Sequence, residues 1–154
     1  MNVSNKAEQI AREAHKNHFR WDGKTPYIEH PKAVAREVQT DLLKATAWLH
    51  DVLEDTDVTA VDLLSQGIPE VVVIAVLAMT KLENENYLDY ILRVKVNELA
   101  KLVKIVDITH NLSTLSEDIK ARKDKYMLAR YILNCYDPFI VEEIKEKYEK
   151  QRKT

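Results

Sequence analysis

Two glycines and four prolines among 154 residues leave this chain few places to turn sharply. Sheets need such residues at their hairpins, whereas helices can be joined by short polar caps, so the scarcity predicts an all-α fold. Leu, Ile, Val, Ala, Glu and Lys fill most other positions, with the apolar ones recurring at helical spacing. The expectation is a single domain over residues 1–154, a bundle of about eight helices with enough core to need neither disulfides nor structural zinc. Cys135 has no second cysteine to pair with, which excludes an internal disulfide and a Cys-x-x-Cys site and points to a reduced setting.

The order of elements follows from caps and punctuation. Ser4 is placed to cap a first helix carrying Ala7, Ile10, Ala11 and Ala14 on one stripe and ending near His18. Asp22-Gly23 and Thr25-Pro26 punctuate a loop, and Pro31 opens the next helix at its first position, with His30 at the boundary. That helix turns Ala33, Val34 and Val38 inward, and Thr40 or Asp41 caps its successor. Thr59 with Asp62 forms a capping box with a shortened acid, and Gly67 with Pro69 marks a stop and restart. Residues 69–80 are apolar nearly all round, the pattern of a buried helix. Asn86 caps a helix to Val96 with Tyr87, Tyr90, Ile91 and Val94 on one face, and Asn97-Glu98 open another. A further helix runs from residues 116–118 to about Tyr136, and Asp137-Pro138 begins a last one through Gln151 whose alternating charges read as a solvated face.

Several classes are excluded. Twenty-three basic against 25 acidic residues give no footprint for a general nucleic-acid binder. The N-terminus lacks the apolar core of a signal peptide, and the longest apolar run, residues 71–79, is too short to cross a bilayer. A soluble, cytoplasmic protein is expected, and apolar positions on the last two helices would permit a homodimer.

The chemistry concentrates in residues 45–56, ATAWLHDVLEDT. Read as one helix, at about 100° per residue, this stretch spreads His50, Asp51, Glu54 and Asp55 over an arc of roughly 140°. No Lys or Arg lies within a turn of Glu54, so three carboxylates and an imidazole crowd one face with no local counter-charge. A second buried-looking helix, LAKLVKIVDITHNL, sets Asp107 among apolar residues, where a carboxylate must be paired, protonated or metal-bound. Lys104 offers an i−3 partner and Asn111 lies at i+4 on the same stripe. His30, His50, Asp51 and Asp107 together supply two imidazoles and two carboxylates for one ion, a nitrogen and oxygen set suited to Mn²⁺, with Fe²⁺ or another divalent transition ion as the alternative. Glu54 and Asp55 then act on the attacking water, one as proton acceptor and one to hold it in line or assist the leaving oxygen. His15 and His18, one turn apart, read as two exposed or half-buried histidines at a helix end rather than ligands. Arg20 and Lys24 bracket the Gly23 turn, either reaching an anionic ligand or standing as solvated loop charges.

PYIEHP, WLHDVLEDT and KIVDITHNL, in this order and spacing, resemble the HD-domain phosphohydrolases, and more narrowly the guanosine tetraphosphate hydrolase domains of the RelA/SpoT type and their small stand-alone relatives. The likeness spans about His15 to Leu115. It implies an all-α fold holding one Mn²⁺ through His30, His50, Asp51 and Asp107, with Glu54 and Asp55 as catalytic carboxylates and Asn111 and Thr114 on the nucleoside. The implied activity is Mn²⁺-dependent hydrolysis of a nucleotide, with guanosine 3′,5′-bis(diphosphate) 3′-pyrophosphohydrolase leading. Phosphatase action on a nucleoside monophosphate or NADPH, or a nucleotide-binding module without turnover, is the alternative. A chain of this length leaves no room for a synthetase domain, so hydrolysis alone is expected. Such domains carry an Arg-Lys pair directed at phosphates before PYI; here Trp21 stands at the lysine position after Arg20, with one extra residue before Pro26, and Lys24 is left as a substitute cation. Tyr87, Tyr90 and Arg93 either line a phosphate or base pocket or belong to an ordinary amphipathic helix.

Overall fold

Five consecutive residues, Ala45 to Leu49, are buried, which happens only where a helix is covered on every side. They belong to α3 (Asp41–Leu49), the centre of a computed structural model that describes residues 1–116, 119–135, 143, 145–147, 149 and 150. Against α3 pack α1 (Val3–Ala14), α2 (Glu29–Arg36), α6 (Glu70–Met79) and α8 (Glu98–Thr114). Two short helices, α4 (Val52–Asp55) and α5 (Ala60–Ser65), carry the chain from α3 to α6, and α7 (Tyr87–Lys95) with α9 (Lys120–Asn134) closes over α8. Nine helices are thus defined among the described residues, one more than the pattern predicts, because the 45–56 stretch is broken at His50-Asp51. No helix among them is long and apolar enough to cross a membrane.

The apolar stripes meet in one core that joins Ala7, Ala11, Val34, Leu49, Val52, Val72, Val76, Ile91, Val94, Val103 and Ile108. At about 25 cal/mol per Å² of apolar surface removed from water, such contacts supply the main force holding α3 and α8 in place. Caps fix the ends. Thr40 accepts from the Leu43 amide at 3.2 Å and so caps α3. The Asp41 carboxylate instead receives the amides of Val3 and Ser4, both at 3.0 Å, and caps α1 across 37 residues of chain. Thr59 and Asp62 form the expected capping box, and Gly67 adopts φ +82°, a left-handed turn that a side chain would strain. Asn86 and Asn97 cap α7 and α8 as predicted.

Some boundaries differ from expectation. Asn2, not Ser4, is the side-chain cap of α1, and that helix stops at Ala14 because the chain turns at His15, where the His18 amide bonds back to its carbonyl. The second helix starts two residues before Pro31, which sits within the first turn where its missing N–H is not needed. Ala33 is only half-buried while Ala35 is enclosed. Along α6, Val71 and Leu77 remain 49% and 44% exposed, so this helix is covered on most of its surface rather than all of it. The expected helix from Asp137 to Gln151 lies mainly outside the described residues.

Arg93, read from the sequence either as lining a substrate pocket or as part of an ordinary amphipathic helix, is engaged at the end of α6. Its guanidinium donates to the carbonyls of Leu77, Ala78 and Thr80 at 3.3, 3.1 and 2.8 Å and pairs with Glu85 at 2.9 Å. These carbonyls are among those a helix end leaves without partners, so the arginine acts as a tertiary cap. Arg93→Met is expected to lower unfolding free energy by about 2–3 kcal/mol in denaturant titration, since Glu85 loses its partner too, while KM for a nucleotide substrate stays unchanged.

Candidate active site

His50 follows the last residue of α3, and its Nδ1 lies 2.6 Å from the Ala47 carbonyl. A carbonyl only accepts, so Nδ1 carries the proton, and in the neutral ring the lone pair is on Nε2. That nitrogen faces His30 Nε2 at 3.2 Å, Asp51 Oδ2 at 3.0 Å and Asp107 Oδ1 at 3.5 Å. His30 enters from the first turn of α2, with Nε2 at 2.8 Å from Asp107 Oδ1 and 3.8 Å from Asp51 Oδ2. Both rings are 1% exposed and Asp107 2%. His30 from α2, His50 and Asp51 from the turn between α3 and α4, and Asp107 from α8 thus converge on one point.

The surrounding bonds orient these groups. On α8, Lys104 donates to Asp107 Oδ2 at 2.7 Å and Asn111 Nδ2 to Oδ1 at 3.1 Å, which turns Oδ1 toward the histidines. The Tyr27 hydroxyl donates to Asp51 Oδ2. His110 stacks on His30 with ring centroids 4.9 Å apart and Nδ1 atoms 2.6 Å apart. Burial, then the nearby His30 and Arg20, pushes the His110 pKa down to about 4, so near neutrality it is an uncharged ring able to accept the His30 Nδ1 proton. Tyr27 and His110 are the partners that motif spacing does not bring out. His110 lies at i+3 from Asp107 on a helix, and Tyr27 three residues before His30, so helical stacking is the available signal for the first.

Charge in the cluster is arranged for a cation. Burial opposes ionisation of Asp107, but Lys104, His50 and the His30 bond overcome it and hold the carboxyl well below its usual range. Asp51 is likewise depressed, burial being outweighed by His50. Burial also opposes a charged His50, yet Asp51 and Asp107 raise its pKa well above the ordinary value. The carboxylates that favour a charged His50 would equally favour a divalent cation at the point where these side chains converge. His30, His50 and Asp107 each offer an atom within 4.8 Å of the others, and Asp51 adjoins them, so the donors fit a mixed imidazole and carboxylate site.

The break after α3 moves Glu54 and Asp55 onto the separate turn α4, correcting the single-helix arc. Glu54 Oε1 accepts from the Lys81 amide at 2.9 Å. Asp55 opens on a cavity of about 660 Å³ shared with Glu54, His18 and Asp57. Burial, then Asp51 and Glu54, raises its pKa to about 6. His15 is fully buried against Tyr27 and His18, not in the cluster, with Nε2 lacking a hydrogen-bond partner among the described residues. A second cleft, of about 180 Å³, reaches the centre at His30 and is lined by Arg20, Trp21, Asp22, Thr25, Glu29, His110 and Thr114. Arg20 Nη2 donates to Asn111 Oδ1 and Thr114 Oγ1, both at 3.0 Å. Lys24 stays exposed at the turn, its amide bonded to Asp22. Tyr87 lies under Lys125, 4.4 Å from ring centroid to ammonium, with its hydroxyl buried and unpartnered among the described residues.

The fold and centre together define a helical domain of the HD type. No protein-family model matches the chain. Relatives are found in Vibrio cholerae, a guanosine-3′,5′-bis(diphosphate) 3′-pyrophosphohydrolase 36% identical over 145 residues, and in Escherichia coli, the bifunctional (p)ppGpp synthase/hydrolase SpoT, 33% identical over 144 residues. Each alignment takes in 84% of this chain and 20% of the relative, so the chain spans about a fifth of their length. A solved metazoan SpoT orthologue, described as hydrolysing ppGpp, superposes with a TM-score of 0.67 over 97% of this chain and 95% of its own, at 22% identity. The chain belongs with the RelA/SpoT-type HD domains.

Metal addition gives a direct check on the cluster. Saturating Mn²⁺ is expected to raise the melting temperature of the wild-type protein by about 5–10 °C, and Asp107→Ala or His50→Gln to abolish that rise, as read by calorimetry.

Proposed function

We propose that this chain is a metal-dependent nucleotide phosphohydrolase, with Mn²⁺ as its ion and the 3′-diphosphate of guanosine 3′,5′-bis(diphosphate) as its target. The observation that carries this reading is the convergence of His30, His50, Asp51 and Asp107 beside a carboxylate, Asp55, whose pKa stands near 6. The activity for which the bacterial relatives and the metazoan orthologue are named supports it. Bound at these four residues, the ion would lower the pKa of a water and polarise a phosphoryl oxygen.

The protein's own groups do the rest. Asp55 accepts the proton of the attacking water; Glu54, tied at one oxygen to the Lys81 amide, keeps its other oxygen to steer that water. Tyr27 and His110 hold Asp51 and His30 in orientation, and Lys104 keeps Asp107 ionised. Arg20 and Thr114 line the cleft beside His30 as a wall for the nucleoside, with Asn111 holding the guanidinium from behind. The exposed Lys24 contributes long-range attraction to phosphate rather than a fixed contact, and Tyr87 beneath Lys125 stands at the α7–α9 edge for a distal phosphate.

Trp21 in place of a phosphate-directed lysine favours a second reading in which the same centre cleaves a phosphomonoester, of a nucleoside monophosphate or NADPH. The product separates the two. With Mn²⁺ and guanosine tetraphosphate, stoichiometric pyrophosphate is expected, and orthophosphate release from monoesters without pyrophosphate would transfer the assignment to the second. Glu54→Gln should lose at least about 100-fold in kcat while binding metal as tightly as wild type, whereas a binding module without turnover would show no such loss.

The pH profile tests Asp55. As a base it works only when ionised, so kcat/KM of the metal-loaded enzyme should fall in acid as Asp55 is protonated, and Asp55→Asn should remove the activity. The sign for stability is opposite. A carboxyl whose pKa rises from 3.8 to about 6 on folding binds its proton more tightly in the folded state, so ionising it between those values weakens the fold. Asp55→Asn should therefore melt higher than wild type at pH 7.5 and lose that advantage below pH 4.

A further inference from the structure

The turn that follows α1 carries two histidines that the proposed chemistry leaves unused. The His18 amide donates to the His15 carbonyl at 3.0 Å, and the two rings meet edge to face with their Nδ1 atoms 3.2 Å apart. His15 is 2% exposed, its ring against that of Tyr27 at 4.8 Å between centroids. His18 is half-buried and lines the cavity of about 660 Å³ that also takes in Glu54 and Asp55. Its Nδ1 is turned inward to His15. Its Nε2 has no partner among the described residues and is not enclosed, so it is the ring nitrogen left open to the cavity.

The bond between the rings can run in either sense, and the two senses differ in what they allow. Burial outweighs the pull of Asp51 and lowers the His15 pKa to about 4, so near neutrality His15 is uncharged and keeps a lone pair on one nitrogen. If His18 donates from Nδ1 to His15 Nδ1, that bond persists whether or not His18 Nε2 also holds a proton. In the opposite sense it is broken each time His18 becomes charged. Only the first sense lets the His18 ring gain and lose a proton without moving.

We propose that His18 is the proton exit of this site: its Nε2 takes the proton from Asp55 and passes it through the cavity to solvent, and His15 is the positioning residue that fixes its ring. The inference rests on the hydrolase reading and is the same for either substrate. In an in-line displacement the attacking water and the leaving oxygen stand on opposite sides of phosphorus, so the base cannot hand its proton straight to the leaving group. Asp55 must nonetheless be ionised again before the next turnover. In the exit step the O–H bond of the Asp55 carboxyl breaks and an N–H bond forms at His18 Nε2. That N–H bond then breaks as a solvent base takes the proton, and the leaving oxygen draws its own proton from solvent. Imidazole is the side chain suited to taking up and releasing protons near neutrality, and His18 supplies the one imidazole among the described residues lining this cavity.

Chemical rescue gives the test. With Mn²⁺-saturated protein and guanosine tetraphosphate, or NADPH should the tetraphosphate be inert, His18→Ala and His18→Gln should each lose about tenfold in kcat in dilute buffer, with KM within about twofold. Added imidazole should restore most of the kcat of His18→Ala and leave wild type unchanged. His15→Phe, which keeps the bulk of the ring and offers no lone pair, should show a fall in kcat of similar size. A histidine that only packs would lower the melting temperature and be indifferent to imidazole. An unchanged kcat in both His18 variants, or a loss that imidazole does not restore, overturns the proposal. Nitrogen NMR of the wild-type protein adds a reading that needs no turnover: neutral His18 should hold its proton on Nδ1, and a proton on Nε2 instead also overturns it. A wild-type protein inert toward both nucleotides would sink the hydrolase reading and this step with it, whereas an active one with indifferent His18 variants sinks this step alone.

Discussion

Asp107 sits in the middle of α8 with 2% of its surface exposed, and an ion there without partners would cost several kcal/mol. The structure offsets that cost from every direction: Lys104 at 2.7 Å on one oxygen, Asn111 and His30 on the other. Each compensation is incomplete alone. Lys104 balances the charge but leaves Oδ1 with spare lone-pair capacity, and His30 brings a ring nitrogen that also needs a partner. The residual demand for positive charge is what suits the cluster to a cation rather than to a structural salt bridge. The same groups that keep Asp107 ionised keep it aimed.

The break at His50-Asp51 serves the same centre. On a continuous helix adjacent side chains diverge by about 100°, so neighbours in sequence seldom reach one point. Here α3 ends at Leu49 and α4 begins at Val52, and the intervening turn brings His50 Nε2 and Asp51 Oδ2 within 3.0 Å. The ring of His50 bonds the Ala47 carbonyl at the end of α3 as the regular pattern stops. One side chain thereby takes part in ending a helix and in presenting a nitrogen. The break also sets Glu54 and Asp55 on a short turn of their own, where Asp55 meets the field of Asp51 across a half-buried gap.

The cluster is legible in the sequence because polar residues inside apolar stretches are costly, and His50 and Asp107 are conspicuous for that reason. Lys104 and Asn111 can be read as partners because helical spacing at i−3 and i+4 places them on the same stripe. The helix break cannot be read, since ATAWLHDVLEDT carries no Gly or Pro and its apolar spacing suits either one helix or two. The role of Asp41 depends on an α1 terminus that only packing brings to it, and the bonds of Arg93 to the end of α6 likewise come from packing between elements. His110 and Tyr27 support their neighbours through contacts between elements, which no local pattern specifies. Local rules locate the chemistry and its caps, whereas tertiary contacts decide how the chemistry is held.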